Sequence, residues 1–165
     1  MPYTPILATL GYVLSPDRQS VLLIHRTRPG DDSFGKYNGL GGKLEPREDA
    51  AAGMIREIRE EASIEVTAMG LRGTISWPGF GKDCESWLAF VFLVTAFSGE
   101  PLPLTDEGSI EWQPVAALVE GRLPIWEGDR LWLHMVFDDD PRPFHGVAPY
   151  DGFEVLLNEW RCTRM

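Results

Sequence analysis

The chain has few of the residues that mark metal knuckles, disulfide frameworks or binding to nucleic acid. Its 165 residues include two cysteines, Cys84 and Cys162, which lie far apart and show no C-x-x-C spacing. This usage excludes a zinc knuckle and a redox motif, and it favours reduced thiols in a cytosol. The 15 basic residues are outnumbered by 25 acidic ones, which leaves a net charge of −10. Because polyanions are bound by clustered Lys and Arg, we expect neither a nucleic acid polymer nor an anionic membrane as partner.

Long hydrophobic runs are also missing. The longest apolar run, residues 87–97, is shorter than the roughly 18 residues that a membrane span needs. The first 14 residues have no basic region ahead of an apolar core, so no signal peptide is expected. We therefore expect a cytoplasmic protein, and the length predicts one domain covering residues 1–165.

Apolar patterning predicts a sheet flanked by helices. Strands are predicted at 5–14, 20–26, 64–77, 86–97 and 110–112, and a closing hairpin at 144–160. The second of the two long strands, 86–97, is almost wholly apolar and is expected to be buried on both faces. Helices are predicted from 47 or 48 to 62, at 114–120 and at 129–138. Together these elements predict a mixed α/β/α domain.

Residues 27–42 are rich in glycine and are predicted to be a binding loop. Two phosphate-binding motifs fail on this segment. A P-loop would need Gly at 37 and Ser or Thr after Lys43, where the chain has Tyr37 and Leu44. A G-x-G-x-x-G motif that starts at Gly39 would need its third glycine at position 44, where the chain has Leu44.

Residues 42–64 combine a glycine turn with an acidic helix. Glu60 and Glu61 follow Glu57 by three and four residues, so their side chains share a helical face with it. Each like-charge pair costs only about 0.2 to 0.5 kcal/mol when exposed, so a solvated surface paired with Arg56 and Arg59 is one interpretation.

The other interpretation is a seat for a divalent cation. Clustered carboxylates suit hard cations such as Mg²⁺, which complete their coordination with water and substrate phosphates. Such a cation would let a protein of net charge −10 bind a polyphosphate. Glycines at 39, 41 and 42 would let the backbone approach the ion or the phosphate closely.

The segment from Gly42 resembles the Nudix box of the Nudix hydrolases, G-x5-E-x7-R-E-U-x-E-E-x-G-U, where U is a bulky aliphatic residue. The positions that fit are Gly42, Glu48, Arg56, Glu57, Ile58, Glu60, Glu61 and Ile64. Ser63 departs from the pattern, because it stands where the family has its second glycine. Since that glycine commonly ends the helix in a left-handed conformation, we expect a local stability penalty at Ser63 without loss of chemistry.

The resemblance implies a Nudix-type α/β/α sandwich with a mixed sheet. It also implies hydrolysis of a nucleoside diphosphate derivative with Mg²⁺ or Mn²⁺. By likeness, Glu57, Glu60, Glu61 and the backbone carbonyl of Gly41 hold the metal, with Glu57 and Glu60 also counted as catalytic.

Two further catalytic roles follow from the same resemblance. Arg56 would orient a glutamate, for which Glu48 is the candidate. A loop acid would complete the site, with Glu107 as the first candidate and Glu111 as the second.

Segments outside the box are similar to the MutT-type members, which act on oxidised purine nucleoside triphosphates such as 8-oxo-dGTP and release the monophosphate and pyrophosphate. This similarity implies that Asn38 hydrogen-bonds the base, Trp126 stacks on it, Asp129 reads its edge and Lys43 contacts the substrate. The human enzyme of this type has two adjacent aspartates where this chain has Gly128 and Asp129.

Structural explanations remain open beside these roles. Trp126 could simply pack on the sheet, and Asn38 could stabilise a turn. His25, His134 and His145 have no ligand spacing and are expected to be structural. A nucleotide-binding module without turnover, and a Nudix hydrolase of a dinucleoside polyphosphate or a nucleotide sugar, are the alternative functions.

Overall fold

The computed structural model describes residues 1–165, which form twelve strands and three α-helices. The strands are β1 (Ile6–Leu14), β2 (Ser20–Arg26), β3 (Tyr37–Asn38), β4 (Leu40–Lys43), β5 (Glu65–Phe80), β6 (Glu85–Ser98), β7 (Leu104–Thr105), β8 (Gly108–Pro114), β9 (Phe144–Val147), β10 (Tyr150–Asp151), β11 (Glu154–Val155) and β12 (Arg161–Arg164). The helices are α1 (Ala50–Ala62), α2 (Val115–Val119) and α3 (Leu133–Phe137).

Ten strands form one mixed sheet in the order β12-β9-β5-β6-β1-β2-β8-β7, with β3 beside β2 and β4 beside β1. β1 runs parallel to β6, and β5 runs parallel to β9. The second edge of β1 is shared, since residues 8–11 pair with β4 and residues 13 and 14 pair with β2. The segment 27–42 is thus not wholly a loop, because it contains β3 and most of β4.

Successive residues of the central strands point to opposite faces of the sheet. Val21 and Leu23 belong to a core that includes residues of α2 and α3, whereas Leu22 and Ile24 belong to a core beneath α1. All four side chains are essentially inaccessible to solvent. The predicted α/β/α sandwich with a mixed sheet is therefore confirmed.

Helix α1 begins later than the sequence pattern predicted. Arg47 has a positive φ of 73°, which no helix accommodates, and the carboxylate of Asp49 caps the helix by accepting a hydrogen bond from the Ala52 N–H at 2.8 Å. The helix ends as predicted, with Ser63 in the left-handed conformation at φ 56° and ψ 33°. The Ser63 N–H donates to the carbonyl of Arg59, as in a left-handed cap.

The helical spacing of Ala51, Ile55, Ile58 and Ala62 predicts that these residues form the core-facing stripe of α1, and the structure confirms part of it. Ile58 and Ala62 are buried as predicted, but Ala51 is exposed and Ile55 is only half-buried. Met54 is buried instead and packs against Gly11 of β1, where a Cβ would lie 2.8 Å from its sulfur.

The helix predicted at 129–138 is broken into two pieces. A 3-10 turn spans Glu127–Leu131, and α3 begins only after Trp132, whose φ of −131° is not helical. The indole of Trp132 is completely buried and packs on Tyr12 and Phe144.

Two strand predictions also need correction. Residues 144–160 do not form one hairpin: β9 pairs with β12, beyond the predicted range, and β10 pairs with β11 in a separate small hairpin. Only the centre of β6, from Ala89 to Val94, is buried on both faces, and even there Phe90 and Leu93 are only half-buried. No helix of the chain is long and apolar enough to cross a membrane.

The cap of α1 provides a test of the strain at Ser63. Replacing Ser63 by glycine should raise the free energy of unfolding by about 0.5 to 1 kcal/mol, because a left-handed residue with a side chain costs roughly 1 to 2 kcal/mol and part of the gain is lost to chain entropy. Urea unfolding measures the change. Ser63→Ala keeps the strain and is the control, and equal stability of the glycine and alanine variants would contradict the expectation.

Candidate active site

The glycines before α1 bring the backbone against the acidic face of the helix. A Cβ on Gly41 would overlap the carbonyl oxygen of Thr9 in β1. One on Gly42 would lie 2.5 Å from Oε1 of Glu57. A side chain at 41 would thus meet the backbone of β1, and one at 42 would displace the Glu57 carboxylate, which rests directly on the backbone of β4.

Arg56 connects the acidic side chains to one another. Its Nη1 donates to Glu57 Oε1 at 3.0 Å and to Glu60 Oε2 at 3.2 Å. Its Nη2 donates to Glu48 Oε1 at 2.7 Å and to the Lys43 carbonyl at 3.1 Å, while Nε donates to Glu48 Oε2 at 3.0 Å. The bidentate guanidinium contact lowers the pKa of Glu48 to about 2. The guanidinium therefore lies against Glu48, the glutamate that the resemblance assigned to it.

Glu61 is the most buried acid of the group. Its Oε1 accepts a hydrogen bond from the Gly41 N–H at 3.3 Å, whereas its buried Oε2 has no partner. Burial, and then the charge of Glu57, raise the pKa of Glu61 to about 8. A buried carboxylate oxygen without a donor is costly to the protein alone, and it is a ready ligand for a cation.

Glu107 joins this group from the turn between β7 and β8. Together with Glu57, Glu60 and Glu61 it lines an acidic groove beside the second half of α1. Its Oε2 is held by Arg26 Nη1 at 3.0 Å, and Arg26 also pairs with Asp31 at 2.7 Å. The first candidate for a loop acid thus reaches the groove.

Glu111, the second candidate, is directed elsewhere. It accepts hydrogen bonds from Tyr37, Ser109 and Gln113 and lies 3.2 Å from Nδ1 of His25. Burial alone would raise the pKa of Glu111, but the Ser109, Tyr37 and Gln113 hydrogen bonds bring it below the usual value. The structure does not bring Glu111 into the groove, and His25 takes part in this structural network as predicted.

A cavity of about 210 Å³ adjoins the groove and shares Gly41 and Gly42 with it. Its wall is largely aromatic and also contains three of the residues that the resemblance assigned to the substrate. Prominent lining residues are Asn38, Trp77, Phe80, Trp126, Asp129 and Tyr150. Lys43 lines the groove, and its ammonium lies 5.4 Å above the ring of Trp87 in the cavity wall. The site thus has an acidic part and an aromatic part in direct continuity.

Trp126 belongs to an aromatic cluster at the mouth of the cavity. Its indole Nε1 donates to Ser33 at 3.2 Å, Phe153 stacks on it with ring centroids 5.7 Å apart, and the Lys36 ammonium lies 4.7 Å from its ring centre. These contacts hold the indole in place. They satisfy the packing explanation, and the position in the cavity wall equally suits stacking on a base.

Asp129 lies at the buried end of the cavity. Its residue is 8% exposed, and burial raises the pKa of its carboxyl to about 7. The nearby indole of Trp132 and the positive charge of Arg130 lower the pKa by a smaller amount. Nε1 of Trp132 has no partner with full hydrogen-bond geometry. The same environment raises the pKa of the fully buried Tyr12, first by burial and then by the charge of Asp129.

Sequence reasoning missed several residues of this site. Arg26, Trp77, Phe80 and Tyr150 were not singled out, although the six Trp and eight Phe of the chain are a signal that some aromatic residues line a pocket. These residues come from the ends of distant strands. Only the pairing of β5 with β6 and β9, and the docking of the hairpin turn at Gly152 on Gly79 and Gly81, bring them to one cavity.

A mixed sheet between helices, with an acid-faced helix beside a base-sized aromatic cavity, defines a hydrolase domain of the MutT-like kind. The chain belongs to the Nudix family, because the NUDIX domain model matches residues 4–136. As a member of this family it is an enzyme, a hydrolase acting on nucleoside diphosphate derivatives. The match ends at residue 136, so one domain spanning residues 1–165 stays a prediction.

Individual relatives agree with this assignment. The chain is 28% identical to a protein of Danio rerio named oxidized purine nucleoside triphosphate hydrolase, over 94% of this chain and 93% of the relative. It is 29% identical to the Nudix hydrolase YvcI of Bacillus subtilis, over 87% of each. Among solved structures, the MutT protein of Bacillus halodurans superposes with a TM-score of 0.78 at 29% identity, covering 95% of this chain and 97% of that one.

Enzymes of this family generally use divalent metal ions. No three His, Cys, Asp or Glu side chains lie close enough together here to form a ready-made cation site. Glu57 and Glu60 instead accept hydrogen bonds from Arg56. The donor set nevertheless fits a hard cation, because the orphaned Oε2 of Glu61 lies among other carboxylates. Glu57, Glu60, Glu61 and the Gly41 carbonyl are the residues that could hold it.

The burial of Asp129 predicts a pH-dependent stability. Between the unfolded pKa of about 3.8 and the folded pKa of about 7, the unfolded chain ionises first, so stability falls as pH rises through this window. Asp129→Asn removes the effect. Its unfolding free energy relative to the wild type should increase from pH 4 to pH 8, by at most about 4 kcal/mol for three pKa units.

Urea unfolding of both proteins at several pH values measures this difference. Glu61 and other acids titrate in both proteins, so their contributions cancel in the comparison. Parallel profiles for the two proteins would show that Asp129 has the same pKa in the folded and the unfolded protein, and would contradict the expectation.

Proposed function

We propose that this enzyme is a Mg²⁺-dependent nucleoside triphosphate pyrophosphohydrolase that acts on oxidised purine nucleotides such as 8-oxo-dGTP. Water adds to phosphorus, the bond to the terminal pyrophosphate breaks, and the products are the nucleoside monophosphate and pyrophosphate. The observation that carries the proposal is the continuity of an acidic groove with an aromatic cavity across Gly41 and Gly42. The named activity of the Danio rerio relative supports the choice of substrate.

The acidic groove is proposed to take the triphosphate. Its carboxylates would repel an anion, so a divalent ion must lie between them and the substrate. Mg²⁺ or Mn²⁺ bound by Glu57, Glu60, Glu61 and the Gly41 carbonyl would neutralise phosphate charge and lower the pKa of a water molecule.

The chain's own residues prepare this arrangement. Arg56 holds Glu57 and Glu60 in the groove, and its bidentate grip on Glu48 fixes the guanidinium itself. The Glu60 side chain is more than half exposed, so it can leave Arg56 for a cation without disturbing the core. Arg26 holds Glu107 at the opposite wall, from where its carboxylate can orient water.

The aromatic cavity is proposed to take the base. Trp126 offers a ring for stacking, which contributes roughly 1 to 3 kcal/mol per base and tolerates different bases. Asn38 and Asp129 supply polar groups that discriminate among bases. Lys43, between the cavity wall and the groove, is placed to bind the phosphate chain.

A panel of nucleotides incubated with Mg²⁺ tests the activity and its substrate together. We expect 8-oxo-dGTP to yield the monophosphate and pyrophosphate, with kcat/KM well above that for dGTP. Chromatography identifies the products. Equal turnover of the two nucleotides would reject the preference for oxidised purines, and preferred cleavage of a dinucleoside polyphosphate or nucleotide sugar would reassign the substrate.

The acidic residues are tested by neutral isosteres. Glu60→Gln or Glu61→Gln should lower kcat by two orders of magnitude or more, because each removes a charged oxygen ligand while keeping the side-chain shape. Glu65→Gln is the matched control, since Glu65 lies just past the helix and pairs only with the exposed Arg59. Near-normal kcat in either of the first two variants would remove that residue from the metal site.

A binding-only module would behave differently. It would retain nucleotide in equilibrium dialysis and release no phosphate product with Mg²⁺ or Mn²⁺. The wild-type measurement therefore separates this alternative before any variant is made.

A further inference from the structure

Tyr150 occupies a distinctive place in the cavity. It begins β10, lies beside Asp129 in the cavity wall and is only 6% exposed. Phe80 packs edge-on against its ring, with centroids 4.9 Å apart. The turn that follows Tyr150 is anchored, because Gly152 exchanges backbone hydrogen bonds with Gly79 and Gly81. The ring is therefore held rigidly in the wall.

The hydroxyl of Tyr150 accepts a hydrogen bond but donates none. It accepts a hydrogen bond from the backbone N–H of Gly128 at 3.1 Å. A phenol carries one proton to donate in addition to its acceptor capacity, so this contact leaves the proton free. Burial, followed by the charge of Asp129, raises the pKa of Tyr150 well above its usual value, and the hydroxyl keeps its proton at neutral pH.

Gly128 is shaped around this hydroxyl. A Cβ at position 128 would overlap Oη of Tyr150 and crowd its ring. The hydroxyl therefore fills the space that a side chain at 128 would take, and Asp129 is the next residue in the chain. Tyr150 and Asp129 line the same cavity, near enough for the charge of Asp129 to act on the Tyr150 hydroxyl.

Resting on the proposed nucleotide hydrolysis, we propose that Tyr150 is a specificity-determining residue whose hydroxyl donates a hydrogen bond to the 6-oxo group of a purine while Asp129 accepts from the neighbouring ring N–H. A 6-oxopurine presents an acceptor beside a donor, which matches this pair. A 6-aminopurine presents a donor at position 6 and an acceptor at the neighbouring ring nitrogen. The hydroxyl of Tyr150 and the amine of the base then face each other as two donors, and both are left unpaired. A buried unpaired polar group is costly, and this gives the contact its selectivity.

The test uses Tyr150→Phe, which removes the hydroxyl and keeps the ring. We expect kcat/KM for dGTP and 8-oxo-dGTP to fall about tenfold or more, mainly through KM, and kcat/KM for dATP to change less than about twofold. Tyr3→Phe is the matched control, because it removes a hydroxyl bonded to Ser76 outside the cavity. Equal losses for both kinds of base, or no loss, would overturn the proposal.

A binding measurement keeps the inference separate from turnover. Quenching of tryptophan fluorescence reports the affinity of dGMP and dAMP without added metal, and Tyr150→Phe should weaken only dGMP binding. Absence of hydrolysis would reject the proposed function and leave this result intact. Unchanged selectivity in an active variant would reject only the role of Tyr150.

The wild-type protein supplies a second measurement that does not depend on folding of the variant. Deoxyinosine monophosphate carries the 6-oxo group without the 2-amino group, whereas the purine deoxyribonucleotide that lacks a 6-substituent has no acceptor there. We expect at least about tenfold tighter binding of the inosine nucleotide. Equal affinities would overturn the proposal.

Discussion

The acidic groove depends on the guanidinium of Arg56. In a protein of net charge −10, this single cation contacts Glu48, Glu57 and Glu60 together with a backbone carbonyl. Without it, the carboxylates of Glu48, just before α1, and of Glu57 and Glu60, in its second half, would lie near one another with no compensating charge. Because the helix also packs against β4 through Gly42, the same cation connects the glycine strand to the helix. The shape of the groove therefore depends on the ion pairs of Arg56 and on the close contact between the Gly42 backbone and Glu57.

This balance leaves Glu61 uncompensated. It is the most buried acid of the groove, its Oε2 has no donor, and Arg56 forms no hydrogen bond with it. A fold that only required stability would have an apolar side chain or a satisfied polar one at this position. Retaining a buried acid with a raised pKa is typical of a functional site. The family assignment and this local cost agree, although they rest on different observations.

The aromatic cavity has a different physical origin. Its wall is assembled from the end of β5 and from the β10–β11 hairpin, whose turn at Gly152 docks on Gly79 and Gly81. The rings of Phe80, Trp126 and Phe153 contact one another beside it. Burial in this cavity raises the pKa of Asp129, whereas Glu48, held by Arg56, remains ionised. One chain thus places carboxyl groups in opposite environments.

The sequence by itself determined the sandwich architecture, the acidic face of α1 and the end of that helix at Ser63, because these follow from local periodicity and from fixed spacing along the chain. It also placed Asn38, Trp126 and Asp129 in one region through family resemblance. Only the tertiary structure decided that Glu107 and not Glu111 reaches the groove, that Met54 replaces Ala51 and Ile55 in the core, and that residues 127–137 break at Trp132. Only the fold brought Tyr150 to Gly128. These outcomes depend on contacts between segments far apart in sequence, where close packing and the pairing of buried polar groups override local pattern.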